Sequence, residues 1–404
     1  MTTPYLDYAA TTPLDPGVAE AMARLQGPDG CLANPGSPHP AGRAAAAIVT
    51  AAREQVLAVL GDPDFRLVWT SGATEADNLA ILGLARALAE RASRRRRILV
   101  AATEHAAVLA AARAARATGM VVETLPVGAD GLISPAVLGE RLDESVALVS
   151  IAPVNNETGV IQPIRALAEP VHAAGAPLHL DAAQAIGHVG DESIYRCADL
   201  VSLSAHKFCG PAGIGALCYR STLRLAPLLH GGGQQDGLRA GSLPVGLIAG
   251  MAEAIKRRDD AAEMRRQRGL QRRLRAGLRA LGGVVVNGRE DGSPHVLNAS
   301  FAGVQGAALQ AALADLAVGF GSACGSQAGP SHVLRAMGRP EALAHASVRF
   351  SLGRFTSEAD IDVTLERLAG RVARLRAISP VWRELEAGRR IEDVYAVTTP
   401  LEMA

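Results

Sequence analysis

Residues 177–207, PLHLDAAQAIGHVGDESIYRCADLVSLSAHK, contain two short apolar runs, PLHLDAA (177–183) and DLVSLS (199–204). Each discharges into polar side chains: Asp181 and Gln184 at the first, His206 and Lys207 after the second. Short runs that stay apolar without alternation are what strands buried on both faces look like. Outward from this pair the same texture repeats. FRLVWT (65–70), ILVAA (98–102), VVETLPV (121–127), VALVSIAPV (146–154) and GALCYR (215–220) are further strand candidates. They alternate with helix-period segments, beginning with AGRAAAAIVTAAREQVLAVL (41–60), which Gly61 stops. The pattern predicts an α/β fold with a mostly parallel sheet flanked by helices.

A second helix is expected from about Thr74, with Asp77 three residues on as in a capping box. Ala252 to Leu281 reads as one long Arg-rich amphipathic helix, and beyond it the strands shorten to VVVNG and HVLNASF. That change places a domain boundary near residue 260. Residues 16–260 are assigned to a large domain, and 1–15 with 261–404 to a smaller α+β domain closed by a helix from near Ser357 to about Arg376.

With 404 residues, 49% hydrophobic and 20% charged, the chain is long enough for two domains sharing a core. Its formal charge of +1 gives no electrostatic reason to expect nucleic acid or an anionic membrane as partner. The run Arg94 to Arg97 reads as a solvated loop. The start MTTPYLDYAATTPLD lacks a basic, then apolar, leader, and no uncharged apolar run reaches spanning length, so a cytoplasmic protein is expected. Five cysteines, Cys31, Cys197, Cys209, Cys218 and Cys324, make an odd count without CxxC spacing. This argues against a disulfide framework and against a structural zinc site, and leaves at least one thiol free.

Chemistry concentrates after the strands, where ligands of open α/β sheets collect. Lys207 is one of only two lysines; the other, Lys256, reads as a solvated helix residue. Arginine supplies charge, but only lysine can lose its proton and form a Schiff base with a carbonyl. Ser71-Gly72-Ala73-Thr74 is a small-residue turn entering a helix, fit for a phosphate. Thr103-Glu104-His105 and Asn155-Asn156-Glu157 follow two other strands. A phosphate cradle, a stacking or acid–base His, a strand-end Asp and a reactive Lys are the parts of a pyridoxal-phosphate site, where the Asp keeps the pyridine nitrogen protonated. Singly such residues are more often structural; at five successive strand ends the structural reading fails. The nucleotide and metal fingerprints GxGxxG, GxxxxGK[ST] and HExxH are absent, and no metal site is expected.

The strings YLDYAATTPLD, TSGATEADNLAI, TEHAAVL, VNNETGVIQP, HLDAAQAIGH, SLSAHKFCGPAGIGAL, HGGGQQDGLRAGSLPV, GSACGS and VRFSLGRFT run in order through nearly the whole chain. Together they resemble the cysteine desulfurases, pyridoxal 5'-phosphate enzymes of the class V aminotransferase superfamily with the fold-type I architecture. The resemblance implies that Lys207 holds the cofactor's aldehyde, that His105 stacks on its ring and moves protons, that Asp181 pairs with the pyridine nitrogen, and that Gln184 bonds the ring hydroxyl. It further implies phosphate contacts from Thr74, Ser204, His206 and the Ala73 backbone, and from Ser242 across a homodimer interface. Asn156 and Arg349 match the positions that hold the substrate carboxylate.

Cys324 decides the functional name. It lies in a glycine-rich loop, about residues 319–332, a setting that favours a nucleophile over a packing thiol. Cys197, Cys218 and Cys209 read as core or packing residues, and Cys31 has no assigned role. By the resemblance, Cys324 takes sulfur from L-cysteine as a persulfide, leaves alanine, and passes the sulfur to an acceptor protein, an iron–sulfur scaffold or a thiolation enzyme. A transient cluster-ligand role for Cys324 also belongs to this reading. The long loop and the tail SPVWRELEAGRRIEDVYAV resemble the housekeeping iron–sulfur subgroup, whose tail docks the scaffold. Three departures leave room for a specialised acceptor: Gly325 after the cysteine, a slightly shorter loop, and the run Asn34-Pro35-Gly36-Ser37-Pro38-His39. A selenocysteine lyase or another class V enzyme remains an alternative, as does a non-catalytic sulfur-relay scaffold.

Overall fold

The computed structural model describes residues 3–27, 30, 33–320 and 329–395. Cys31, and Cys324 with its immediate sequence neighbours, for which the roles above are expected, therefore lie outside the described residues, as does the end of the tail. Twelve strands occur among the described residues: β1 (Tyr5–Leu6), β2 (Phe65–Thr70), β3 (Arg97–Ala101), β4 (Val121–Leu125), β5 (Val146–Ser150), β6 (Leu178–Asp181), β7 (Leu200–Ser204), β8 (Gly215–Arg220), β9 (Val284–Asn287), β10 (Val296–Phe301), β11 (Ala317–Val318) and β12 (Ser347–Ser351). Seven form the main sheet, in the order β2-β8-β7-β6-β5-β3-β4. Only β8 runs against its neighbours; the other adjacent pairs are parallel.

The apolar runs form these strands because helices cover both faces of the sheet. All of β5 and β7 is buried. One face packs on the helix Pro40–Leu60 through Ala45, Val49, Ala52, Val56 and Leu60. His39 caps that helix by accepting the Gly42 N–H on Nδ1, and Gly61, at φ 66°, ends it in the left-handed region. The other face takes Ala76, Leu79, Ile81 and Leu84, then Val108 and Ala111 from the helix Ala106–Ala115. Each fully buried Leu, Ile or Val in these layers contributes roughly 1.5–3 kcal/mol of transfer free energy.

A separate apolar cluster joins Leu6 to Leu270, Leu274, Leu278, Phe301, Phe350 and Leu368. It fills the space between the antiparallel sheet β12-β10-β9 and the helices Asp260–Ala280 and Glu358–Ala377. β1 pairs with β11, returning the N-terminus to this unit. Ser357 starts the last long helix with a reciprocal capping box to Asp360.

Three local expectations are corrected. The stretch 252–281 is not one helix: Val245–Lys256 ends, and a new helix starts at Asp260 with the Asp259 carboxylate accepting the Ala262 N–H. Asp77 is not a capping residue; its helix, Ala73–Asn78, has no side-chain cap bond, and Asp77 is buried. The run Arg94–Arg97 is not simply solvated, because Arg97 lies in β3 and pairs with Glu123 and Asp143, while Arg95 donates to the Val146 carbonyl. Among the described residues no helix is long and apolar enough to cross a membrane.

Candidate active site

The carboxyl ends of the parallel strands open on a cavity of about 390 Å3. Its walls bring together Ala73, Thr74, His105, Asn156, Asp181, Gln184, Ser204, His206, Lys207 and Arg349, ten of the residues singled out in the sequence. Ser242 is not among them; it is exposed, in the connection before the helix Val245–Lys256.

Lys207 ends a short turn, Ala205–Lys207, that leaves β7, and its Nζ donates to the carbonyls of Ala9 (2.7 Å) and Ala10 (2.9 Å). These two carbonyls also line the cavity, and nothing in their side chains announces them. Asp181 ends β6 and accepts the Ala183 N–H at 3.0 Å. Burial raises its carboxyl above the ordinary aspartate range, against the pull of His105, the Ala183 N–H and Lys207.

His105 caps the helix Ala106–Ala115: its Nδ1 accepts the Ala107 N–H at 3.1 Å, so the neutral ring carries its proton on Nε2. Burial lowers its basicity; Asp181 opposes this, while Lys207, His332 and Arg349 add to it. His206 is lowered to about 4, by burial and by Lys207, and its Nδ1 lies 3.0 Å from the Thr11 hydroxyl. Beside them, the turn Ser71–Thr74 is braced by Glu75, which accepts the Ser71 N–H at 2.6 Å and pairs with Arg239 at 2.9 Å. Gly215 must be a glycine there: a Cβ would sit 2.6 Å from the Gly72 Cα and 2.4 Å from the Leu203 carbonyl oxygen.

Arg349, on β12, is 7% exposed. Its Nη2 pairs with Asp7 at 2.8 Å and its Nη1 donates to the Asn156 carbonyl at 3.2 Å. Its Nε is buried with no partner among the described residues. Gly319 makes room for the guanidinium, since a Cβ would lie 2.7 Å from that Nε.

Behind Asp181 lie groups to which the sequence reading gave no role in the site. Asp77 and Glu104 are fully buried, and each is pushed well above its ordinary carboxyl range by burial first and by Asp181 next. His179 sits between the hydroxyls of Ser150 (2.8 Å, Nδ1) and Ser202 (2.9 Å, Nε2), with Asp77 3.6 Å from Nε2. Burial lowers it to about 3, so it stays neutral. Three carboxyls in one low-dielectric pocket cannot all ionise cheaply without a cation. A protonated pyridine ring against Asp181 supplies one, the amine of Lys207 answers an aldehyde, and the hydroxyls and N–H groups of the Ala73–Thr74 turn and Ser204 answer a phosphate. The residues present therefore fit pyridoxal phosphate. Among the described residues no group of three His, Cys, Asp or Glu could hold a metal ion.

Comparison with known proteins gives the same direction. Residues 4–364 match the family model described as aminotransferase class-V. The chain is 44% identical over 397 residues to the cysteine desulfurase IscS of Serratia proteamaculans, covering 96% of this chain and 98% of that one. Among solved structures it is similar to a NifS-like protein (TM-score 0.84, 32% identity, 93% of this chain and all of the other). It is also similar to DndA from Streptomyces lividans (TM-score 0.73, 40% identity, 86% and 99% covered).

Proposed function

The chain belongs to the class-V aminotransferase family, and from that premise we propose that it is a cysteine desulfurase converting L-cysteine to L-alanine with transfer of the sulfur. The observation that carries this reading is one cavity lined both by the Lys207 amine and by the buried Arg349, whose Nε has no partner among the described residues. That pairing suits an amino acid: a carbonyl-reactive amine beside an anion holder.

Pyridoxal phosphate, when bound, supplies an electron sink for the bond-breaking at the substrate's α-carbon. Lys207 would hold its aldehyde; Asp181 would face the ring nitrogen, Gln184 the ring oxygen, and Thr74, Ser204, His206 and the Ala73 N–H the phosphate. His105, neutral at physiological pH, would lie against the ring and serve as proton carrier at Nε2. The Lys207 amine would also serve as the base at the α-carbon, and the Ala9 and Ala10 carbonyls keep it at the cavity wall. Arg349 and Asn156 hold the substrate carboxylate.

The Cys324 thiolate then attacks the substrate sulfur. The S–S bond forms as the substrate's C–S bond breaks, with the electron pair leaving on the carbon side and a proton completing alanine. Cysteine and a thiol thus become alanine and a persulfide, with no external oxidant. We further propose a homodimer completed by Ser242, the division into 16–260 and 1–15 with 261–404, a cytoplasmic setting, and an acceptor protein, iron–sulfur scaffold or thiolation enzyme. The described part of the tail is set against the smaller unit: Trp382 packs under the Arg376 guanidinium at 3.7 Å, and the Gly303 N–H donates to the Tyr395 hydroxyl at 2.7 Å.

The test is to incubate the purified, pyridoxal-phosphate-loaded protein with L-cysteine and assay alanine, with mass spectrometry for one added sulfur on Cys324. Alanine and a persulfide that Cys324→Ser lacks support the reading. A loaded enzyme that gives neither product overturns it, and full activity in Cys324→Ser would point to a lyase that needs no loop thiol.

A further inference from the structure

The amide of Gln184 can sit only one way round. Its Nε2 donates to the Ala9 carbonyl at 2.8 Å, an oxygen that can only accept. Its Oε1 therefore faces His295, whose Nε2 is 3.1 Å away and must carry a proton. His295 is 2% exposed, and burial, with His188, Arg349 and Lys207 behind it, lowers its basicity well below the ordinary histidine range. The ring thus holds one proton, on Nε2, and Nδ1 is a lone pair. The Ser293 hydroxyl, 2.6 Å from Nδ1, donates to it rather than to the His188 carbonyl at 3.1 Å. His188 stacks on the imidazole, with centroids 3.7 Å apart and planes 11° apart, which resists rotation of the ring. Gln271 fixes the segment below by donating to the carbonyls of Ser293 (3.1 Å) and Val296 (2.8 Å).

We propose that His295 is a positioning residue for the cofactor site. Through a one-way chain from Ser293 to His295 to Gln184 to the Ala9 carbonyl, it locks the Gln184 amide with a second N–H left for the cofactor's ring oxygen. The carbonyl that ends the chain also accepts from Lys207. The chain therefore ties the groups proposed for two adjacent substituents of the ring, the hydroxyl and the aldehyde, to one buried imidazole. The proposal rests on the reading that Gln184 faces the ring oxygen.

The experiment titrates apo protein with pyridoxal phosphate, following the visible band, its pH midpoint and the dissociation constant. His295→Phe keeps the stack on His188 and removes the donor; His295→Gln retains an N–H at similar reach. Losing one net hydrogen bond predicts about a 2- to 10-fold weaker dissociation constant for His295→Phe, with a shifted pH midpoint of the band. His295→Gln is expected to restore both to within about twofold. A merely structural histidine would lower thermal stability in both variants without moving the band midpoint, and that result overturns the proposal. Gln184→Ala separates the two levels. If it leaves band and affinity unmoved, the reading of Gln184 fails; if it moves them while His295→Phe does not, the positioning role alone fails. Should His295→Phe not fold, Ser293→Ala carries the test, with a smaller shift in the same direction expected and an unchanged band contradicting the chain.

Discussion

Replacing Arg349 by lysine tests the substrate assignment most directly. The guanidinium splits its donors: Nη2 serves Asp7, Nη1 serves the Asn156 carbonyl, and Nε is bare among the described residues. A lysine keeps the charge but has a single nitrogen, which Asp7 would hold at the back of the site. The substrate carboxylate then loses a charge-assisted hydrogen bond worth roughly 1.5–3 kcal/mol, which is about 10- to 150-fold. That carboxylate keeps its charge throughout the reaction, so the contact is equal in ground and transition states. Its loss belongs in KM, with kcat nearly held. The assay is alanine formation against cysteine concentration at saturating pyridoxal phosphate. Because Asp7 stays paired, the thermal midpoint should change little. A KM within twofold of wild type would show that Arg349 only clamps Asp7 to Asn156; a fall in kcat alone would place the residue in the chemistry instead.

Lys207→Ala is expected to abolish alanine formation and to leave pyridoxal phosphate removable by dialysis after borohydride treatment, whereas wild type retains it on the peptide containing Lys207; retention by the variant would move the anchor elsewhere. For His179, a folded value of about 3 against 6.5 means that the unfolded chain takes a proton first on acidification. Its stabilising contribution is present above pH 6.5 and falls away toward pH 3. Between pH 7.5 and pH 5 wild type should lose about 2 kcal/mol more unfolding free energy than His179→Gln, measured by urea denaturation at each pH. Parallel curves would mean that the imidazole titrates in the fold as it does in the unfolded chain, and a relative gain on acidification that it is protonated in the fold.

The strand ends were legible because parallel strands buried on both faces must be apolar throughout, so the first polar residue after each stands out. That logic located Asp181, His105, Asn156 and Lys207 and placed them round one cavity. It misread Asp77, since a Thr with an acid three residues on looks the same whether the acid caps a helix or turns inward. It also merged two helices at 252–281, because the amphipathic period continues through the break that Asp259 caps. The carbonyls of Ala9 and Ala10 could not be found from residue types, as every residue has one. His295 lies 111 positions from the Gln184 it bonds, with no local pattern to mark it.

The pairing of Asp7 with Arg349 shows what such long-range contacts do for function. The two residues are 342 positions apart, and their backbones belong to the smaller unit, where Asp7 bridges to Ser351. Asn156, which accepts from the same guanidinium, follows β5 of the main sheet. The guanidinium therefore spans the two packed units at the cavity wall. Gly319 exchanges both backbone hydrogen bonds with Arg349, at 2.9 and 2.8 Å, and leads directly into the segment that carries Cys324. A carboxylate drawn to Nε would thus lie beside Gly319, which precedes Cys324 closely in the sequence. A side chain at Gly319 would displace the Arg349 guanidinium and strain the backbone pairing of Gly319 with β12, so the proposed anchoring of the substrate carboxylate depends on this one glycine.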